Sequence, residues 1–299
     1  MTTTTTTPTA PPVAPTAMDT YRPTRTFTFA TEFRRQASRR RTQLALGFMV
    51  VLPLIILVAF QLNRDDNRNN GGRRGQFASL VDLATAGGVN FALFTVFVSA
   101  SFLLIVVVAL FCGDTVASEA SWGSLRYLLA VPVPRGRLLG VKLAVSLAYS
   151  ALAMVLLLGT ALTAGTLRYG WHPLRSTISG DIPAGDALLR LLGIMGYLAV
   201  SLLVVAGLAF LLSVTTDAPL GAVGGAVLLQ ILSSILDQIT ALGAIRSFLP
   251  SHFAQAWLGL LSTPIQTDNL VRGCISALCY GVVFFGLAWW RFLRKDIVS

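Results

Sequence analysis

Residues 191–216 read LLGIMGYLAVSLLVVAGLAFLLSVTT, and beyond Asp217 residues 218–236 read APLGAVGGAVLLQILSSIL. Neither run carries a charge. Each has the length of about 20 residues, at 1.5 Å rise per residue, that a helix needs to cross a hydrocarbon core roughly 30 Å thick. Asp217 and its neighbours Thr216, Ala218 and Pro219 leave room only for a tight turn, so the two runs predict a helical hairpin. The same texture extends over the 299 residues, of which 54% are hydrophobic and 12% charged, with a mean hydropathy of +0.70. A soluble domain carries about 25% charged residues. Charge this sparse does not cover a water-exposed surface, which excludes an ordinary cytosolic enzyme. The expected fold class is an all-α integral membrane protein.

Outward from the hairpin, uncharged stretches predict six spans, at about residues 42–63, 90–112, 143–166, 189–214, 218–238 and 272–291. Pro53 predicts a kink in the first. A further apolar segment, 247–267, is cut by Pro250 and Pro264 to a core of about 13 residues, too short for a span. It reads as a re-entrant or interfacial element. Residues 1–26, with threonines at 2–7 and Pro8, Pro11, Pro12 and Pro15, have almost nothing to bury and predict a disordered tail. In residues 27–41, Phe29, Phe33 and Ala37 recur every four positions among Arg34, Arg35, Arg39, Arg40 and Arg41. That pattern predicts a basic amphipathic helix lying in the membrane interface, with a solvated basic linker as the plainer alternative.

The net charge of +10 follows from 23 basic residues, all arginine except Lys142 and Lys295, against 13 acids. In a soluble protein this balance would suggest nucleic acid; beside membrane spans, basic residues set orientation. Fourteen of the 23 fall on the side of the two termini if six spans are counted, among them Arg34, Arg35, Arg39, Arg40, Arg41, Arg135, Arg137, Lys142, Arg291 and Arg294. Both termini are therefore expected to be cytosolic, and residues 114–142 form a cytosolic loop. No nucleic-acid partner is expected.

Catalytic patterns are missing. Gly136 to Lys142 has the wrong spacing for a phosphate-binding loop, and no nucleophile elbow, HExxH helix or paired carboxylates occur. Cys112, Cys274 and Cys279 form no CxxC pair, and two histidines, His172 and His252, make a metal site improbable. The expectation is a chain with no catalytic, cofactor-binding or metal residues.

The loop 114–142 is the most informative segment. Glu119 and Arg126 lie two helical turns apart on nearly one face, Gly123 between them exposes backbone, and Pro132 and Pro134 end the helix ahead of Arg135 and Arg137. The residues alone describe either a lever that docks on a soluble partner or a solvated connector. Their order resembles the signature of six-helix permease subunits of ATP-binding cassette (ABC) exporters of the type-2 class. There an acid precedes Gly-Ser/Thr-Leu, a Leu-Leu-x-x-Pro turn, a basic residue, and then Leu-Leu and Lys entering the third span. Glu119, Gly123, Ser124, Leu125, Leu128, Leu129, Pro132, Arg135, Leu138, Leu139 and Lys142 occupy those places. Ala120-Ser121-Trp122 departs from the pattern, since family members commonly carry further charges there.

The resemblance implies a bacterial plasma-membrane permease that couples through Glu119, Gly123, Ser124, Leu125, Arg126, Pro132 and Arg135 to two separate ATPase subunits, which bind the ATP and magnesium. It implies a second permease, identical or related, in contact through the first and fifth spans. Gly221 and Gly225 form a GxxxG arrangement in the fifth span that suits either such a dimer contact or packing within the chain. Asp237, at the end of the same span, is a candidate intramembrane polar site, or a structural group that reaches water. With no charged ring in prospect, the expected cargo is hydrophobic or amphipathic. A membrane-embedded lipid- or prenyl-modifying enzyme and a non-transporting scaffold are the competing readings.

Overall fold

The computed structural model describes residues 28–69, 76–121, 134–175 and 180–294. Helices account for nearly all of these, and no strand forms among them beyond an isolated antiparallel bridge between Leu174 and Ile182. In chain order the helices are α1 (Phe29–Ala37), α2 (Arg40–Asn69), α3 (Gln76–Ala84), α4 (Gly88–Ala100), α5 (Leu103–Ser121), α6 (Arg135–Tyr169), α7 (Ala184–Ser201), α8 (Leu203–Thr215), α9 (Pro219–Gln238) and α10 (Asp268–Arg294). Two short 3-10 helices, Thr240–Phe248 and Ala256–Leu261, lie between α9 and α10.

Six stretches are long and apolar enough to cross a bilayer: Arg40–Leu62, Leu103–Ser121, Arg135–Tyr169, Ala184–Thr215, Pro219–Gln238 and Asp268–Arg294. Their number matches the six expected runs, but their bounds differ. The second run, expected to be one helix over 90–112, is broken at Ser101 and Phe102, and its second half continues to Ser121. Helix α6 begins at Arg135 rather than at residue 143. Glu119 near the end of α5 and Lys142 in α6 are buried against each other, a condition that hydropathy along the chain does not register. The fourth run is interrupted at Leu202, whose backbone remains right-handed helical, so α7 and α8 run on as one stretch.

Helix α5 is the central column: 72% of its stretch is buried, against 17% for α2 and α10 and 22% for α9. It packs on α6, α8 and α9, while α10 packs chiefly on α8. Rows of leucine, isoleucine, valine and phenylalanine stand out from α2, α9 and α10, such as Leu54, Val58, Leu228, Leu232 and Val282. In water such rows would be costly; in hydrocarbon they meet their own kind.

Helices α4 and α6 approach most closely through small residues. Gly88 and Ala92 are one turn apart on α4, as are Ala161 and Gly165 on α6, and all four are buried. A Cβ added at Gly88 would lie 2.6 Å from the Thr166 nitrogen, and one at Gly165 would lie 2.9 Å from the Gly88 carbonyl oxygen. A Cβ at Gly113 of α5 would meet Val223 of α9 at 2.9 Å.

The segment 247–267 forms no long helix, in keeping with its two prolines. The first 3-10 run is kinked at Gly243 (φ 54°, ψ −129°), a backbone region that favours glycine. The segment is tied down by side chains from the long helices. The Arg190 guanidinium donates to the carbonyls of Leu260 and Ser262 at 3.0 and 3.1 Å, and the Tyr197 hydroxyl donates to that of Phe253 at 2.5 Å.

Candidate functional site

Seven charged side chains from α1, the start of α2, the end of α5 and the start of α6 meet at one end of the bundle. Glu119 and Lys142 are each 1% exposed, and Lys142 Nζ lies 2.7 Å from Glu119 Oε1. The same ammonium donates to Glu32 Oε1 of α1 at 3.2 Å. Arg35 bridges the two acids, with Nη2 3.1 Å from Glu119 Oε1 and Nη1 3.4 Å from Glu32 Oε2. Beside them Asp114 Oδ1 accepts from Arg41 Nη1 at 2.6 Å, and Arg39 Nη1 stands 3.6 Å from Asp114 Oδ2. Arg39 also reaches Ser118 Oγ at 3.4 Å, and its other terminal nitrogen is 3.8 Å from Glu119.

Three carboxylates thus face four cations. An ion pair withdrawn from water loses several kcal/mol of hydration per ion, which mutual attraction offsets only when the geometry is good. Here Lys142 is held between two acids, and the arginines that complete the set, at 18–54% side-chain exposure, keep contact with solvent. Chemically the arrangement is a clasp that binds four helix ends into one body. No group of His, Cys, Asp and Glu fit to hold a metal ion occurs among the described residues.

This placement corrects one expectation and adds to another. Glu119 was expected on a solvent-facing lever two turns from Arg126; it is buried in α5 and engaged within the chain. Helix α1 was expected to seat Phe29, Phe33 and Ala37 in the membrane interface. Phe29 and Ala37 are exposed, as side chains facing a membrane interface would be, while Glu32 and Gln36 are buried against the bundle. Phe33 stacks on Tyr149 of α6 at 4.5 Å, and the Tyr149 hydroxyl donates to the Phe33 carbonyl at 2.7 Å. Lys142 offers Glu32 a partner at 3.2 Å, which holds that face of α1 against α6. Two signals pointed to this site: Glu32 is an acid in an otherwise basic helix, and Lys142 is one of two lysines in an arginine-rich chain.

Gly123, Ser124, Leu125, Arg126 and Pro132 lie outside the described residues. Arg135 opens α6 and is exposed. Of the GxxxG pair, Gly225 packs within the chain, where an added Cβ would meet Leu212 of α8 at 3.2 Å; Gly221 is exposed. Asp237 sits at the far end of α9 in a smaller polar group. Its Oδ1 is 2.6 Å from His252 Nδ1 and 3.6 Å from Arg246 Nε. Next to it the Ser233 and Ser251 hydroxyls share a hydrogen bond of 2.7 Å. Asp237 therefore ties α9 to the segment before α10, with His252 as its partner.

No curated protein matches the chain. The DUF2705 family model, described as a protein of unknown function, matches residues 54–298, a stretch that holds Asp114, Glu119 and Lys142 and leaves α1 outside it. With most of its length matched, the chain belongs to the DUF2705 family.

Proposed function

We propose that this chain is the membrane-spanning permease subunit of an ABC exporter, driven by two copies of a separate ATPase subunit and paired with a second permease. The observation that supports the reading best is the Glu119–Lys142 pair at 2.7 Å, which joins the two helices flanking residues 122–133. A push received by that connector reaches α5 and α6 together, and Glu32 and Arg35 extend it to α1. Rigid transmission from a soluble motor to a membrane bundle needs such a joint. In this reading Glu119 is the inner fastening of the coupling element, and Gly123, Ser124, Leu125, Arg126, Pro132 and Arg135 are its outer face. Exposed rows on α2 and α9 are the surfaces offered to lipid or to the second permease. The 3-10 segment before α10 is the interfacial or re-entrant element, and the cargo is hydrophobic or amphipathic. ATP and magnesium belong to the partner, since no phosphate-cradling loop is present in this sequence.

Co-purification tests the assignment. Arg126→Ala is expected to leave the yield and thermal stability of the isolated permease unchanged while reducing recovery of the ATPase subunit at least tenfold. Wild-type recovery with full transport would remove residue 126 from the coupling surface. ATP hydrolysis by the isolated, contaminant-free chain would overturn the assignment as a whole.

Sidedness is tested separately. Both termini are read as cytosolic, in a bacterial plasma membrane, from the basic residues around α1. Arg34 and Arg175 are both exposed, at opposite ends of the bundle, whereas Ser118 is buried and donates to the Asp114 carbonyl at 2.6 Å. A cysteine at position 175 should react with an impermeant thiol reagent in intact cells, and one at position 34 only after lysis. The reverse pattern would invert the orientation.

A further inference from the structure

At the end of the bundle opposite the charged cluster, α3, α4 and the second 3-10 helix line a half-open pocket of about 140 Å³. Its walls include Leu83, Ala84, Leu93, Phe97, Trp257 and Leu261. It is bordered by Leu80 and Phe97, which are 45% and 46% exposed, while Trp257 at 3% forms a buried wall. The Phe97 and Trp257 rings meet edge to face, with centroids 5.9 Å apart.

Two polar side chains line this space. Asn90 is already committed: its amide nitrogen donates to the Arg175 carbonyl at 2.9 Å, and its oxygen accepts from the Arg175 N–H at 3.1 Å. Trp257 contributes a ring with a single N–H. The cavity therefore has nothing with which to balance a charge, and a charged ligand would lose its hydration without return. A closed apolar cavity of about 150 Å³ lined by aliphatic and aromatic side chains admits benzene; this pocket has nearly that volume and opens on one side. Aromatic walls favour a ring, since their edges and faces have complementary charge. The wall that carries Trp257 is also fixed: Arg190 holds the carbonyls of Leu260 and Ser262, and Gln266 N–H donates to the Gly259 carbonyl at 3.1 Å.

We propose that this cavity is a binding site for one uncharged aryl ring, presented by a small lipophilic compound. The site is defined by binding alone and stands whether or not the chain is a transporter subunit.

The test uses the full-length chain in phospholipid nanodiscs, with iodobenzene as a heavy-atom quencher of tryptophan emission. Five tryptophans emit, of which Trp257 lines the cavity. A saturable component of quenching is expected above a linear background from probe dissolved in the lipid. Benzene should compete that component away in the unmodified chain. Trp257→Phe should abolish it by removing the emitter, and Ala84→Phe by filling the space. Strictly linear quenching of the unmodified chain, or saturable quenching that benzene leaves unchanged, overturns the proposal. So does quenching by acyl-brominated phospholipid that neither iodobenzene nor benzene relieves, because a lipid tail would then hold the cavity. The benzene competition requires no variant and decides the matter even if Ala84→Phe fails to fold.

Discussion

Lys142→Met is expected to destabilise the chain by about 3–5 kcal/mol, as found when one partner of a buried ion pair is removed. The methylene stem is largely preserved, so the loss is electrostatic. Glu119, 1% exposed, would keep Arg35 at 3.1 Å but lose its closest cation, and Glu32 would lose its bond at 3.2 Å. The deciding comparison is the double variant Lys142→Met, Glu119→Met. With both buried charges gone, Glu32 retains Arg35, and Asp114 retains Arg39 and Arg41. The double variant should recover most of the lost stability in thermal unfolding of the detergent-solubilised protein. Equal losses in single and double variants would mean that the site acts through packing rather than charge. If the proposed coupling role holds, the double variant should also fold with its ATPase partner bound yet transport poorly, because the joint between α5 and α6 has lost its strongest link.

Gly88→Ala is expected to cost about 3 kcal/mol, the upper part of the range for overpacking a filled interior. The added methyl would stand 2.6 Å from the Thr166 nitrogen and 2.7 Å from its Cα, and backbone cannot swing aside as a flexible side chain does. Gly165→Ala presses on the same contact from α6, at 2.9 Å from the Gly88 oxygen and 3.0 Å from the Phe91 ring. It should therefore fail in the same way. Gly159→Ala is the control on the same helix: nothing lies within 4 Å, so the change should be neutral or stabilising within about 1 kcal/mol. Unfolding midpoints of the three variants in one detergent check the series. A tolerant Gly88→Ala would show that α4 and α6 separate easily at this end.

How much of this was readable beforehand divides along physical lines. The six spans and the hairpin at Asp217 were legible because crossing a bilayer depends on length and uncharged composition, which add up along the chain. The failure of 247–267 to form a long helix was legible for a similar reason, since Pro250 and Pro264 act on their own backbone.

The site was less legible. Hydrophobic spacing in α1 marks the face of Phe29, Phe33 and Ala37 and says nothing of the opposite face, where Glu32 and Gln36 are buried. The GxxxG pair at Gly221 and Gly225 was conspicuous, but a tighter contact between helices joins Gly88 to α6, where the partner pattern is Ala161 and Gly165. Glu119 stood out as a charge in a loop and proved to be the buried end of a helix. Length and hydropathy along the chain were enough to mark six segments fit to cross a bilayer, because transfer free energy is a property of each residue. Which charges are buried and which glycines are indispensable was settled by packing between distant segments. Glu32 meets Lys142 across 110 positions, and whether a buried charge or a missing Cβ is tolerated depends on the atom that lies opposite.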